Sequence, residues 1–260
     1  MENKIPVRFF IITFLWTWIF WIPWVIIGHG HPIMSLGAFG PVMGALVSLR
    51  TINGKGSIKS FFKLFLSLNF GLKVWLTIFS IIFISIAMAY ILPDIIGRNE
   101  IPSYLPNIYI FPLFLLQMIF LGGGQEEIGW RGYILPYIEK KYGLIIGSLI
   151  FGIIWAIWHL PLWFIFGTSQ QTYMNYFAFV LSCIGLSYLF SWIITASGNR
   201  LFSGLIVHGS VNVLLPAFAV LIMTINADKI RFWFWIYCIL IFIIGIIIVI
   251  MRTNKKFNIM

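Results

Sequence analysis

Apolar residues run along this chain in blocks, and polar residues gather in the short gaps between them. Blocks near 9–27, 33–49, 74–92, 108–135, 144–166, 174–196, 201–223 and 232–251 each approach the roughly 20 residues that a helix needs to cross a bilayer. The pattern predicts an all-α integral membrane protein, a bundle of about eight transmembrane helices making one domain over residues 1–260. The first block, FFIITFLWTWIFWIPWVII, follows Lys4 and Arg8. It is too long for the apolar core of a signal peptide and has no small-residue cleavage site, so it reads as a retained helix. The second block is the shortest, and its Gly40 and Gly44 form a GxxxG step around Pro41, a spacing that suits close helix packing. Between the second and third blocks, SFFKLFLSLNFGLK near 60–73 alternates lysine with bulky apolar residues. It reads either as a segment lying along the inner interface or as an ordinary amphipathic linker.

Composition narrows the class. With 61% hydrophobic residues, 9% charged residues and a mean hydropathy of +1.00, the chain has too few charges to cover a water-soluble surface. Its net charge of +10 is read topologically, because lysine and arginine beside apolar spans hold loops in the cytoplasm. That reading replaces nucleic-acid binding. With the N-terminus inside, Lys4, Arg8, Arg50, Lys55, Lys59, Lys63, Lys73, Lys140, Lys141, Arg200, Arg252, Lys255 and Lys256 fall on one face, against Arg98, Lys229 and Arg231 on the other. The asymmetry predicts cytoplasmic N- and C-termini. Isoleucine- and lysine-rich usage suits a multi-pass protein of a bacterial cell membrane. Cys183 and Cys238 sit in apolar runs without CxxC spacing, which gives neither a disulfide frame nor a thiolate metal site.

Three charged residues break the rule that charge stays in loops. Glu126, Glu127 and Arg131 lie inside IFLGGGQEEIGWRGYILP, and His159 and His208 are also at depth. Each ionised group at a helix centre costs about 2.5–3.5 kcal/mol, so such residues point to a shared polar site. His29 and His31, beside Gly28, Gly30 and Pro32, read instead as solvated turn residues. Helical spacing sorts the roles. Glu127 and Arg131 are four apart, with the acid N-terminal as a helical ion pair prefers, so Arg131 is expected to orient Glu127. Glu126 is rotated by about 100° and is the freer carboxylate. His208 and Asn212 share a face, as do Trp155 and His159, where the indole is expected to wall the pocket. Gly122, Gly123 and Gly124 each cost about 1 kcal/mol in a helix. They imply either a very close helix approach or a loosened backbone. Counted from the nearest loops, His208 lies shallower than Glu126 and His159. The depths agree if the fourth and fifth helices project past the bilayer, with a pocket opening to the cytoplasm.

A carboxylate, two imidazoles and an amide in an apolar wall supply the parts of a hydrolase. Glu126 is expected to act as general base on water with His159 assisting, while His208 and Asn212 stabilise an oxyanion. A second arrangement has Glu126, His159 and His208 binding Zn²⁺ with water in the fourth position, although there is no HExxH spacing. Two other classes also use buried polar groups: a proton-coupled transporter, without the matching broken spans many carriers show, and a non-catalytic immunity or scaffolding protein.

These residues resemble a known family. EEIGWR, from Glu126 to Arg131, matches the EExxxR motif of the CPBP (CAAX protease and bacteriocin-processing, or Abi) membrane peptidases, relatives of the type II CAAX prenyl endopeptidases. WAIWH, ending at His159, stands where that family has FxxxH, and HGSVN, from His208 to Asn212, matches HxxxN. The motifs fall in the expected order over about 110–220, and FGPVMGA near Gly40 is a fainter echo. The resemblance implies an intramembrane endopeptidase acting on a hydrophobic or lipid-modified peptide at the bilayer, in CAAX-type processing, peptide maturation or bacteriocin self-immunity. It carries over Glu126, His159, His208 and Asn212 as catalytic, and Glu127 and Arg131 as supporting. It leaves open a metalloprotease or a metal-free glutamate mechanism. Trp155 in place of phenylalanine reads as a conservative change in pocket shape.

Overall fold

Pro6 and Gly28 bracket the first helix. Proline pre-sets the backbone at the start of α1 (Val7–Ile27), and Gly28 closes it in the left-handed conformation with its N–H on the Trp24 carbonyl. The computed structural model describes residues 5–53, 56–65, 67–95, 107–222 and 227–253, and every regular element among them is helical. A 3₁₀ segment, Pro32–Phe39, leads into α2 (Gly40–Asn53). Then follow α3 (Gly56–Phe65) and α4 (Leu72–Ile86), which continues through a π turn at Ala87–Ile91. Next come α5 (Phe111–Phe120), α6 (Glu126–Gly129), a π turn at Trp130–Ile134 and α7 (Leu135–His159). The remainder is α8 (Ser169–Tyr173), α9 (Tyr176–Ala196), α10 (Leu201–Ile222) and α11 (Ala227–Thr253).

Among the described residues, six stretches are long and apolar enough to cross a membrane: Val7–Ile27, Pro32–Thr51, Leu72–Ile91, Glu126–Phe164, Tyr176–Ala196 and Arg231–Thr253. Ile108–Phe120 and Leu201–Leu214 are shorter apolar helices. The protein is an all-α, multi-pass membrane protein. Its largest departure from the expected blocks is in one region. The 108–135 block is two helices, because α5 stops at Phe120 and the chain turns through Leu121–Gln125 before α6 begins.

The 39-residue stretch Glu126–Phe164 is not a straight rod. In one helix Glu126 and Trp155 would lie about 43 Å apart at 1.5 Å per residue, yet the Trp155 indole donates to the Glu126 carboxylate at 2.9 Å. The reversal is at Gly143, whose φ of 79° and ψ of 166° are non-helical and open to glycine at little cost. Lys140 and Lys141 precede it and are exposed. Glu139 ties the arms together below the turn, accepting from Ser148 Oγ at 2.7 Å and Ser191 Oγ at 2.9 Å, so it does more than mark a polar loop. With 16 or 17 residues on either side of Gly143, Glu126 and His159 stand level on the two arms.

Small residues let the supporting helices approach. A Cβ on Gly40 or Gly44 would meet the α1 backbone, at 2.6 Å from the Thr13 carbonyl oxygen and 2.9 Å from that of Phe9. A Cβ on Gly129 would strike the backbone of Pro41. Helix α2 therefore buttresses α6 directly, with α1 packed behind α2. The amphipathic segment is split: residues up to Phe65 belong to α3 (Gly56–Phe65), Ser67–Gly71 are non-helical, and Leu72 and Lys73 open α4. Lys59 and Lys63 face outward, while Ile58 and Phe61 pack on the core. Of the described lysines and arginines only Arg131 is buried; Arg8, Arg50, Lys73 and Arg231 are exposed, and Arg200 and Arg252 half-buried. Lys4, Lys55, Arg98, Lys255 and Lys256 lie outside the described residues, as does the Lys229 side chain. His31 caps the 3₁₀ segment and stacks on Trp24, and both it and His29 are exposed.

Candidate active site

Gly122 to Gly124 shape the floor of a polar pocket. Both readings of the triplet hold: the backbone leaves the helix there, and a Cβ on Gly124 would lie 2.7 Å from the Leu205 carbonyl oxygen of α10. Gly123 has a φ of 124°, and a Cβ on it would sit 2.9 Å from His208 Nε2 and against the Asn212 amide nitrogen. Only glycine leaves room for those tips. Gly123→Ala is expected to lower stability by about 1–3 kcal/mol through backbone strain and the displaced Asn212. Thermal unfolding in detergent checks this, and an unchanged midpoint would contradict it.

The chain brings Glu126, Glu127, Arg131, His208 and Trp155 together, with His159 and Asn212 at the margin. Glu126, 5% exposed, accepts the Trp155 indole N–H on Oε2. Its Oε1 has no protein partner among the described residues. Glu127 is fully buried, and its Oε1 accepts from Arg131 Nη1 at 2.6 Å and from His208 Nδ1 at 2.8 Å. The Arg131 guanidinium is caged by aromatic faces: its central carbon lies 4.2 Å from the Trp155 ring centroid, 4.6 Å from Phe151 and 5.0 Å from Phe190. Cation–π attraction in a desolvated cage is worth about 2 kcal/mol or more, which offsets part of the cost of a buried cation. The wide π turn that begins at Trp130, directly after α6, is a feature often found at functional sites.

The histidines are oriented through Nδ1. His159 Nδ1 lies 2.9 Å from the Trp155 carbonyl oxygen, an acceptor only, so Nδ1 carries the proton and neutral His159 presents a bare Nε2. The Glu127 carboxylate assigns the same tautomer to His208. Asn212 spends one amide hydrogen on the Gly122 carbonyl at 2.6 Å, leaving one to donate. Aromatic rings close the surroundings. His208 meets Trp155 edge-on, with centroids 5.3 Å apart, and His159 packs on Trp158 and Phe179.

Anchored Nδ1 and free Nε2 atoms are the habit of metal-bound imidazoles, so the donor types of Glu126, His159 and His208 suit Zn²⁺. Their spacing does not. Among the described residues no group of three His, Cys, Asp or Glu side chains converges as a ligand set. Sequence reasoning passed over Gly122 as acceptor and Phe151, Phe179 and Phe190 as walls. Of these, Phe151 alone had a signal, four residues before Trp155 on the face that continues to His159.

Residues 108–214 match the family model of type II CAAX prenyl endopeptidase Rce1-like proteins. The CAAX prenyl protease 2 of Methanococcus maripaludis is 29% identical over 103 residues, covering 38% of this chain and 38% of that protein. The match to that relative thus spans well under half of its length, and the family model's range takes in all three polar motifs.

Proposed function

We propose, on the premise that residues 108–214 match the Rce1-like family of type II CAAX prenyl endopeptidases, that the protein is an intramembrane endopeptidase cutting a hydrophobic or lipid-modified peptide at the bilayer. The observation that carries the reading is a carboxylate buried in an apolar bundle with one oxygen held and the other unpartnered, beside two histidines with bare Nε2 atoms. Glu126 Oε1 takes a proton from water as its oxygen attacks the scissile carbonyl, and His159 Nε2 accepts the second hydrogen bond of that water. The remaining Asn212 amide hydrogen donates to the developing oxyanion. His208, whose proton stays on Nδ1 against Glu127, offers a bare Nε2 and so accepts a hydrogen bond beside them and does not donate one. The carboxylic acid of Glu126 then returns its proton to the leaving nitrogen, the C–N bond breaks, and a new carboxyl group is left. Substrates of this chemistry include prenylated CAAX proteins and bacteriocin or signalling-peptide precursors, met in the cell membrane.

The test is cleavage by the purified protein in lipid nanodiscs. A farnesylated CAAX peptide and its unprenylated twin are incubated with it, with and without 1,10-phenanthroline, and products are read by mass spectrometry. Internal cleavage of the farnesylated peptide that persists with the chelator is expected. No new fragment from either peptide sinks the reading, and loss of cleavage that added Zn²⁺ restores transfers the water to a metal.

A further inference from the structure

Trp155 touches four polar groups of the site. Its indole N–H donates to Glu126 Oε2 at 2.9 Å, its ring face takes the Arg131 guanidinium at 4.2 Å, His208 stands against it at 89°, and its carbonyl accepts from His159. We propose that Trp155 is a positioning residue, whose indole N–H holds one oxygen of Glu126 so that the other is presented to water. This rests on Glu126 being the general base.

Three observations carry the inference. First, Glu126 needs an external hold, because it opens a four-residue helix directly after the glycine turn, with no side-chain cap before it. A carboxylate there turns about its side-chain torsions unless something fixes it. Second, the indole is itself immobile. It is 3% exposed, lies nearly parallel to Phe151 at 17° with 6.5 Å between centroids, and packs on Phe190. A rigid donor fixes its acceptor, and an N–H on a carboxylate is a charge-assisted bond of the stronger kind. Third, the remaining protein contacts of Glu126 leave Oε1 alone, so the direction imposed through Oε2 also sets where Oε1 points. Phenylalanine, the residue at this place in the FxxxH pattern, repeats the ring but has no hydrogen to donate. Trp155 is therefore a change in the chemistry of this site, where its sequence suggested only a change of shape.

Trp155→Phe isolates the donor. The His159 bond uses the backbone carbonyl and survives, and a six-membered ring still faces Arg131. The expected result is a kcat lower by about 10- to 100-fold, the range for a reacting group that loses its orientation, with KM within about twofold. Trp163→Phe is the control: it deletes an indole N–H that bonds the Met174 carbonyl at 2.9 Å and has no contact with Glu126, and it is expected to keep kcat. A Trp155→Phe kcat within twofold of the wild type, or one matched by Trp163→Phe, overturns the proposal. A second measurement does not depend on that variant folding. In protein labelled with ¹⁵N at the indoles of its 12 tryptophans, Glu126→Gln is expected to move one N–H resonance upfield, as a carboxylate acceptor gives way to a neutral amide; if none moves, the proposal fails. Full cleavage by Glu126→Gln overturns the base assignment and this inference together. Cleavage lost in Glu126→Gln but unchanged in Trp155→Phe overturns this inference alone.

Discussion

Glu126→Gln is expected to lower kcat by about 10²- to 10⁴-fold, the usual worth of a positioned proton acceptor, while the protein stays folded. Glutamine matches glutamate in shape and keeps an oxygen for the Trp155 N–H. What it loses is the ability to take a proton from water at Oε1. The neighbouring carboxylate cannot substitute, because Glu127 is occupied by Arg131 and His208. Because Glu126 carries no ion pair among the described residues, neutralising it breaks no salt bridge there, and the thermal midpoint should hold or rise slightly. The measurement is a progress curve on the farnesylated peptide beside a melting curve. Turnover within tenfold of the wild type, in folded protein, would remove Glu126 from the chemistry.

Contacts within one helix were legible in the sequence, and contacts between helices were not. Glu127 with Arg131 and the Trp155–His159 pair follow from a spacing of four, since the 3.6-residue period fixes which side chains share a face. The turn after Lys140 and Lys141 was marked by its polarity. Nothing local says that Glu127 meets His208, 81 residues away, that Asn212 reaches the Gly122 carbonyl, or that the Trp155 indole crosses to Glu126. Those pairings are set by how far helices approach and how they rotate, and here the approach is controlled by small residues. Gly124 and Gly129 admit α10 and α2 to backbone distance. The break at Leu121–Gln125 was hidden for a related reason. Glycine cost is the same whether the residue loosens a helix or lets a neighbour in, so the triplet alone did not choose, and both occur. The aromatic cage of Arg131 was equally invisible, because Phe190 comes from α9, an apolar helix in which one phenylalanine resembles another.

Arg131→Met is expected to be the most destabilising single change in the site. Removing one partner of a buried ion pair costs about 3–5 kcal/mol, because the charge left behind has lost both water and its counter-ion. Arg131 is 3% exposed, its Nη1 lies 2.6 Å from Glu127 Oε1, and Glu127 is fully buried. Methionine fills a similar volume against Phe151, Trp155 and Phe190, so the loss measures charge more than packing. The physical claim is sharpened by a second variant. Replacing the whole pair, Glu127→Gln with Arg131→Met, removes the stranded carboxylate and is expected to recover part of the stability lost by Arg131→Met alone, since neutral replacements of buried pairs are often tolerated. It should not recover cleavage, because His208 then loses the carboxylate that orients its Nδ1. Arg131→Lys is expected to fall between, keeping the charge but not the flat guanidinium that lies against three rings. Thermal unfolding in one detergent ranks the variants. If Arg131→Met melts with the wild type, or the double variant melts no higher than the single, then Arg131 is not what balances Glu127.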